Sequence, residues 1–208
     1  MLMHVNKNGT IIESNSNNNT KTNIATVMYD VTNEFTFLMR QNTAYMAYYA
    51  SIDLDMGTYP FLTGYEFATR VQPGGVWDYK QDYGYSSSYI YDGQVVTGED
   101  IGNFHYGFVG RAATFEAPLL LSAAGAVQIA TLHSNPMWYS TYFDEPKDQV
   151  MIIYGISMWD NNSWPKSTIN GIDIYQNSDP YILSPYEKRC IEEEILRDAA
   201  NLEKMQKK

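Results

Sequence analysis

Apolar and polar positions divide the chain into regions of different period. Residues 6–23 have no period and almost no apolar content; Asn-Ser-Asn-Ser-Asn-Asn-Asn-Thr lies at their centre, and only Ile11-Ile12 suggests a short strand. From Asp30 onward, Phe35, Leu38, Met39, Met46 and Tyr49 recur near helical spacing behind Thr32 as N-cap, which predicts a helix ending before Met56-Gly57. Tyr59-Pro60 to Gly64 reads as a loop, and Tyr65–Val71 as a short strand or a helix. Pro73-Gly74-Gly75 is a firm break. Tyr89–Tyr91 and Gln94–Thr97 alternate about Asp92-Gly93, the residue pair that closes two-residue hairpins.

Gly102–Gly107 reads as a glycine-framed turn. A helix over roughly 115–132 follows, with Pro118 in its first turn and a close-packing Ala123-Ala124-Gly125-Ala126 run. Asn135-Pro136 breaks the chain again. Asp144 is expected to cap the next helix, with Glu145 and Pro146 in its first turn and Val150, Ile153 and Ile156 continuing it. Loops at 161–165 and 178–185 flank a strand near Ile172–Tyr175. Ser184-Pro185-Tyr186-Glu187 is a capping box that opens a last helix. The pattern predicts an α-dominated α+β fold: a compact helical domain with a small β-hairpin and an added C-terminal helix. The expected boundaries are a flexible leader over 1–29, a catalytic domain over 30–183 and a C-terminal helix over 184–208.

Composition sharpens this. The chain has 208 residues and a formal charge of −10. Residues 184–208 carry six acids and six bases, so the deficit falls on 1–183, with eight basic against eighteen acidic groups. Such a body offers little to a phosphate backbone and weighs against nucleic acid as the target. Eighteen tyrosines outnumber eight phenylalanines, and Tyr combines a flat apolar face with a hydrogen-bonding tip suited to sugars and interfaces. One cysteine, Cys190, allows no internal disulfide. No apolar run approaches the ~20 residues of a membrane span. The start is too short and polar for a cleaved signal peptide, which leaves a cytosolic protein, export by another route, or a module of a larger chain.

Three stretches carry the candidate chemistry and are expected to converge on one cleft. His105 reads as a general acid or base, or as a histidine bracing a glycine turn. Asp78 and Lys80 flank Tyr79 and point to one side of an extended segment, with Trp77 and Tyr79 on the other. Lys80 would hold an anionic group and Asp78 would orient or react; the plainer reading is a surface ion pair beside a buried Trp. Asp144 and Asp148 share a helix face. Capping holds the Asp144 carboxyl low, and its charge raises that of Asp148, which makes Asp148 the better acid. Trp77, Tyr79, Asn103, Tyr106, Gln128, Trp138, Asp144, Glu145 and Gln149 are candidate substrate contacts. His4 and His133 read as solvated or structural. No metal-ligand spacing is present and no cofactor is expected; a divalent cation needs Asp78, Asp144 and Asp148 to be united by folding. No serine elbow and no Walker loop appear.

Four motifs in order then carry a resemblance. They are Gly74-Gly75-Val76-Trp77-Asp78-Tyr79-Lys80, Gly102-Asn103-Phe104-His105-Tyr106-Gly107 with Gly110 and Ala112, Ala124-Gly125 with Gln128, and Asp144-Glu145-Pro146-Lys147-Asp148-Gln149 with Gly155. Over about residues 30–160 the chain resembles the bacterial polymorphic toxin type 44 domain family. It departs at Val76, where a small residue or proline is expected, and at Glu145, where a second aspartate is expected. The resemblance implies a toxin module of a large secreted protein used against competing cells, with an immunity protein as partner. Carboxylate acid/base hydrolysis of cell-wall glycan, muramidase-like, is the first expectation. A nuclease, using His105 and Lys80 or a carboxylate-held metal, and a non-enzymatic binding module are the alternatives.

Overall fold

The computed structural model describes residues 28–130, 136–142, 144–164 and 181–206, together with two short strand pairs near the ends of the chain. These are β1 (His4–Val5) with β2 (Ile11–Ile12), and β6 (Thr168–Ile169) with β7 (Ile172–Asp173), both antiparallel. Between them run β3 (Tyr29–Asp30), α1 (Thr32–Met56), α2 (Phe61–Val71), α3 (Tyr79–Tyr83), β4 (Ser88–Tyr91), β5 (Gln94–Thr97), α4 (Gly98–Ala112), α5 (Ala117–Ala130), a 3-10 turn (Pro136–Thr141) and α6 (Pro146–Asp160); α7 (Pro185–Gln206) closes the chain. The fold is α-dominated α+β, as the periodicity predicts.

The hairpin forms where Asp92-Gly93 places it. Both residues take positive φ, 50° and 73°, and the register pairs Tyr91 with Gln94 and Ser88 with Thr97. β3 adds a parallel edge, Tyr29 opposite Tyr89. α1 ends on Gly57 in the left-handed conformation. Two readings change. Phe61–Gly64 is the start of α2 rather than a loop. Gly102–Gly107 is not a turn but the middle of α4. Thr97 and Asp100 form a capping box that starts this helix at Gly98, and tertiary packing carries it through its glycines.

That packing is the spine of the molecule. α4 and α6 run side by side in the same direction, since Asp100 meets Lys147 at their starts (3.2 Å) and Arg111 meets Asp160 at their ends (2.9 Å). They touch backbone to backbone at two glycines. A Cβ on Gly107 would collide with the Ile152 carbonyl, and one on Gly155 with the Phe104 carbonyl. Small residues here cost helix propensity but allow the close approach. Gly125 serves α5 in the same way against the Tyr142 carbonyl.

Phe35, Met39, Met46, Ile101, Phe104, Phe108, Ile152 and Ile156 fill the main core between α1, α4 and α6. α7 docks through a smaller cluster in which Ile191 and Ile195 meet Tyr49 and Leu62. Its capping box is present, with Ser184 Oγ accepting from Glu187 N–H and the Glu187 carboxylate accepting from Ser184 N–H.

Candidate functional site

α4 presents two chemically different faces. Along one face, Glu99, Asn103 and Tyr106 succeed one another at i, i+4 and i+7, with Gly102 beside them. Lys80 from α3 crosses this face over Gly102: a Cβ there would stand 2.5 Å from Lys80 Cγ. Lys80 Nζ then reaches Asp148 Oδ2 in the first turn of α6, at 3.9 Å. Lys147, next to Asp148, pairs with Glu99 (3.8 Å) and Asp100 (3.2 Å). Asp144, just ahead of α6, is buried and accepts a hydrogen bond from Gln149 Nε2 at 2.9 Å; the same amide also donates to the Leu121 carbonyl. α3, α4, α5 and α6 thus meet around one group of acids and two ammonium groups.

The environments of these acids differ. Burial raises the Glu99 carboxyl above its ordinary range, and the Asp148 charge raises it further, against the opposing pull of Lys80 and Lys147. Asp144 is also raised, first by burial; the Gln149 amide pulls the other way. Thr97 bonds and the Lys147 ammonium hold Asp100 low despite its burial. The Lys80 and Glu99 side chains are each 29% exposed, whereas Asp148 is 4% exposed. The Nδ2 of Asn103 is buried on the same face and has no hydrogen-bond partner. An amide donor kept dry without an acceptor is costly.

His105 lies on the other face and does not join this group. Its ring is fully buried, 4.7 Å from the Tyr79 ring and 5.6 Å from Trp77. Asn42 Nδ2 on α1 donates both to His105 Nε2 (2.9 Å) and to the Tyr79 hydroxyl (2.8 Å). Burial lowers the His105 pKa from 6.5 to about 3, so the ring is neutral at physiological pH. The expectation of His105 as an acid/base in a shared cleft is corrected: two residues along a helix rotate the side chain about 200° from Asn103, into the core.

Trp77 and Tyr79 are core residues as well, each 7% exposed, and do not offer a stacking surface. The segment is a short helix rather than extended, so Lys80 parts company with Asp78. The Asp78 carboxylate turns back to accept the Gly74 N–H at 2.8 Å and braces its own loop. Asp78, Asp144 and Asp148 therefore do not unite; among the described residues the three carboxylates that approach within 4.8 Å of one another are Glu66, Glu194 and Asp198, between α2 and α7. Glu145, not Asp144, occupies the N-cap position of α6, and its side chain makes no capping bond. That frees Asp144 to be buried, which reverses the expected fall in its pKa. Tyr106 is half-buried, its hydroxyl donating to the Leu120 carbonyl. The side chains of Gln128, Trp138 and His4, and all of His133, lie outside the described residues.

Glu99 and Lys147 were not singled out by sequence reasoning. Extending the helix back from Gly102 to the Thr97 capping box would have placed Glu99 one turn before Asn103.

The sequence model of a known family, described as bacterial toxin 44, matches residues 66–177, just over half of the chain. The chain belongs to the bacterial toxin 44 family. Every contributor to the toxin's polar group — Lys80, Glu99, Asn103, Asp144, Lys147, Asp148 and Gln149 — falls inside the matched segment, whereas α1 and α7 fall outside it. No curated protein and no solved structure matches. Among the described residues of this toxin domain, no helix is long and apolar enough to cross a membrane.

Proposed function

We propose that this toxin domain is a hydrolase that cuts cell-wall glycan, with Glu99 as general acid and Asp148 as the carboxylate partner. The observation that carries the reading is the unequal pair. Glu99 is raised by burial and by the Asp148 charge, whereas Asp148 is ion-paired to Lys80 at 3.9 Å. Glycoside hydrolysis asks for this division: one carboxylic acid to protonate the leaving oxygen, and one carboxylate to act as base or nucleophile across the bond. Asn103 would supply a hydrogen bond to the sugar from its partnerless amide. Asp144 and Gln149 would hold the far wall of the site.

The acid-rich body suits a glycan better than a polyanion. Of the two forms of the nuclease reading, the one that uses His105 loses support because that ring is buried and neutral; the other uses a carboxylate-held metal, and degradation of RNA or DNA with magnesium present tests it. As a toxin of interbacterial competition, the domain would act in the target cell after secretion. The producing cell would need an immunity protein that blocks the site.

The test is loss of turbidity and release of reducing ends from purified peptidoglycan. Steady release that requires Glu99 supports the proposal. Intact glycan after long incubation between pH 4 and 8 would end it. Expression in a test bacterium separates the alternatives: killing from the periplasm alone fits a wall target, and killing from the cytoplasm fits an internal one.

A further inference from the structure

The start of α4 is tied to the loop that precedes the hairpin. The Glu99 N–H donates to the Tyr85 carbonyl at 3.2 Å, and the Gly98 N–H donates to the Ser87 carbonyl at 3.1 Å. Within the loop, the Ser87 N–H donates to the Gly84 carbonyl at 3.0 Å. Helix and loop are pressed together here: a Cβ on Gly98 would stand 2.4 Å from that same Gly84 carbonyl. These contacts are all made by backbone atoms. They hold the loop beside Glu99 whatever side chain it carries.

The side chain presented there is Tyr85, which is 51% exposed. The tyrosines before it in the chain are used differently. Tyr79 is in the core, and Tyr83 packs edge-on against Phe35 at 5.6 Å and Tyr89 at 5.2 Å. A single exposed ring is ordinary on a protein surface; what sets Tyr85 apart is its place. Its hydroxyl is raised above the ordinary tyrosine value, first by burial and then by the charges of Asp78 and Glu99, so the ring lies in the field of the acid. Asn103 follows Glu99 by one helical turn, about 6 Å along α4. A flat ring, a raised carboxyl and an amide thus succeed one another along one edge of the site.

We propose that Tyr85 is the platform on which the acid site seats a sugar ring of its glycan, next to the bond that Glu99 protonates. This rests on the glycan reading above. A pyranose has an apolar C–H face and a polar rim. The face covers the phenol ring and takes it out of water, and the rim keeps its hydrogen bonds with solvent, the Tyr85 hydroxyl and the Asn103 amide. Trp77 and Tyr79 cannot serve in this way, because both are enclosed in the core. A nucleobase also has a flat face, but it brings a phosphate chain to the Asp78 and Glu99 charges, which repel it. The backbone bonds at 84–99 fix the platform in advance, so little freedom is lost when the sugar lands.

The experiment measures cutting and binding separately on the intact protein. Purified peptidoglycan is the substrate for kinetics, and co-sedimentation with it reads binding in the Glu99→Gln background. Tyr85→Ala should raise KM about tenfold with little change in kcat, and weaken co-sedimentation by a similar factor, as expected when one aromatic face is lost. Tyr85→Phe and Tyr85→Trp should keep most of the binding. The melting temperature should hold in all three, because the loop is anchored through its backbone. Tyr186→Ala, an exposed tyrosine on α7, should change neither readout. Glycan cut and bound equally well by Tyr85→Ala overturns the platform and leaves the hydrolase reading standing. Glycan bound through Tyr85 but left intact by the wild-type protein keeps the platform and overturns the hydrolase. Glycan neither bound nor cut overturns both, as does single-stranded RNA that binds through Tyr85 in place of glycan.

Discussion

The two faces of α4 carry residues of one short motif to opposite fates. Asn103 and Tyr106 face the acids, with Glu99 a turn before them. Phe104 and His105, their immediate neighbours, face the core. On the core side the polar atoms are few: Asn42 meets His105 Nε2 at 2.9 Å, and His105 Nδ1 is buried without a hydrogen-bond partner. On the acid side, charges of both signs crowd together around the Asn103 amide. A core histidine contributes by being neutral and fixed; a site contributes by holding groups away from their easiest ionisation state. Chemical versatility of a residue type therefore says less about function than the face on which the backbone places it.

The largest effect should come from breaking the acid side. Glu99→Gln keeps the shape and removes the proton donor. Asp148→Asn keeps the shape and removes the charge. Each should lower glycan hydrolysis by about 100-fold or more, since general acid–base groups typically contribute 10²–10⁴. Thermal unfolding should change little. Activity assays run beside calorimetry check this; a large fall in melting temperature with full residual activity would mark the acids as structural.

Next comes the contact that holds both faces in place. Gly155→Ala puts a methyl group against the Phe104 carbonyl, a backbone atom that cannot swing aside. The expected cost is about 3 kcal/mol, the upper part of the overpacking range, read from urea midpoints. Because α6 carries Asp148, activity should fall with stability here, unlike in Glu99→Gln.

Much of this architecture was legible in the sequence, and the reasons differ by element. Asp92-Gly93 and Ser184–Glu187 act through local backbone chemistry, so their hairpin and cap follow from the letters alone. Gly102–Gly107 was misread because glycine says "turn" locally, whereas here each glycine makes room for a partner. Gly102 admits Lys80, and Gly107 admits Ile152. Those partners lie 22 and 45 residues away, and no window along the chain contains them. The site was legible in part for the same reason. Lys80 and Asp148 stand out as charges in motifs and do meet. Glu99 is one acid among many until the capping box fixes its face. The neutrality of His105 comes from its burial, among neighbours such as Asn42 and Tyr79 that only the fold brings to it.

A smaller effect should sharpen the core side. The His105 ring has its pKa lowered from 6.5 to about 3. A lowered pKa means that the unfolded chain takes up the proton first. The contribution to stability is therefore complete above pH 6.5 and is lost as pH falls toward 3. His105→Gln should cost about 1–2 kcal/mol at pH 7 through lost packing against Tyr79 and Trp77. It should also flatten the fall of the urea midpoint between pH 6.5 and 4, while the pH profile of hydrolysis keeps its shape. A displaced activity limb in this variant would bring the imidazole back into the chemistry.

The finest test separates pairing from tuning. Lys147 is half-exposed, and its bridges to Glu99 and Asp100 should contribute less than about 1 kcal/mol to stability. Its charge nevertheless lowers the Glu99 carboxyl, against burial and the Asp148 charge, which raise it. Lys147→Ala should leave the melting temperature nearly unchanged and let Glu99 rise further. The alkaline limb of the activity profile, where a general acid loses its proton, should then move to higher pH. Lys147→Arg should restore it, because the charge is what matters. A limb that stays fixed in Lys147→Ala but moves in variants of Asp144 would transfer the role of proton donor from Glu99 to Asp144, the other raised carboxyl of the site.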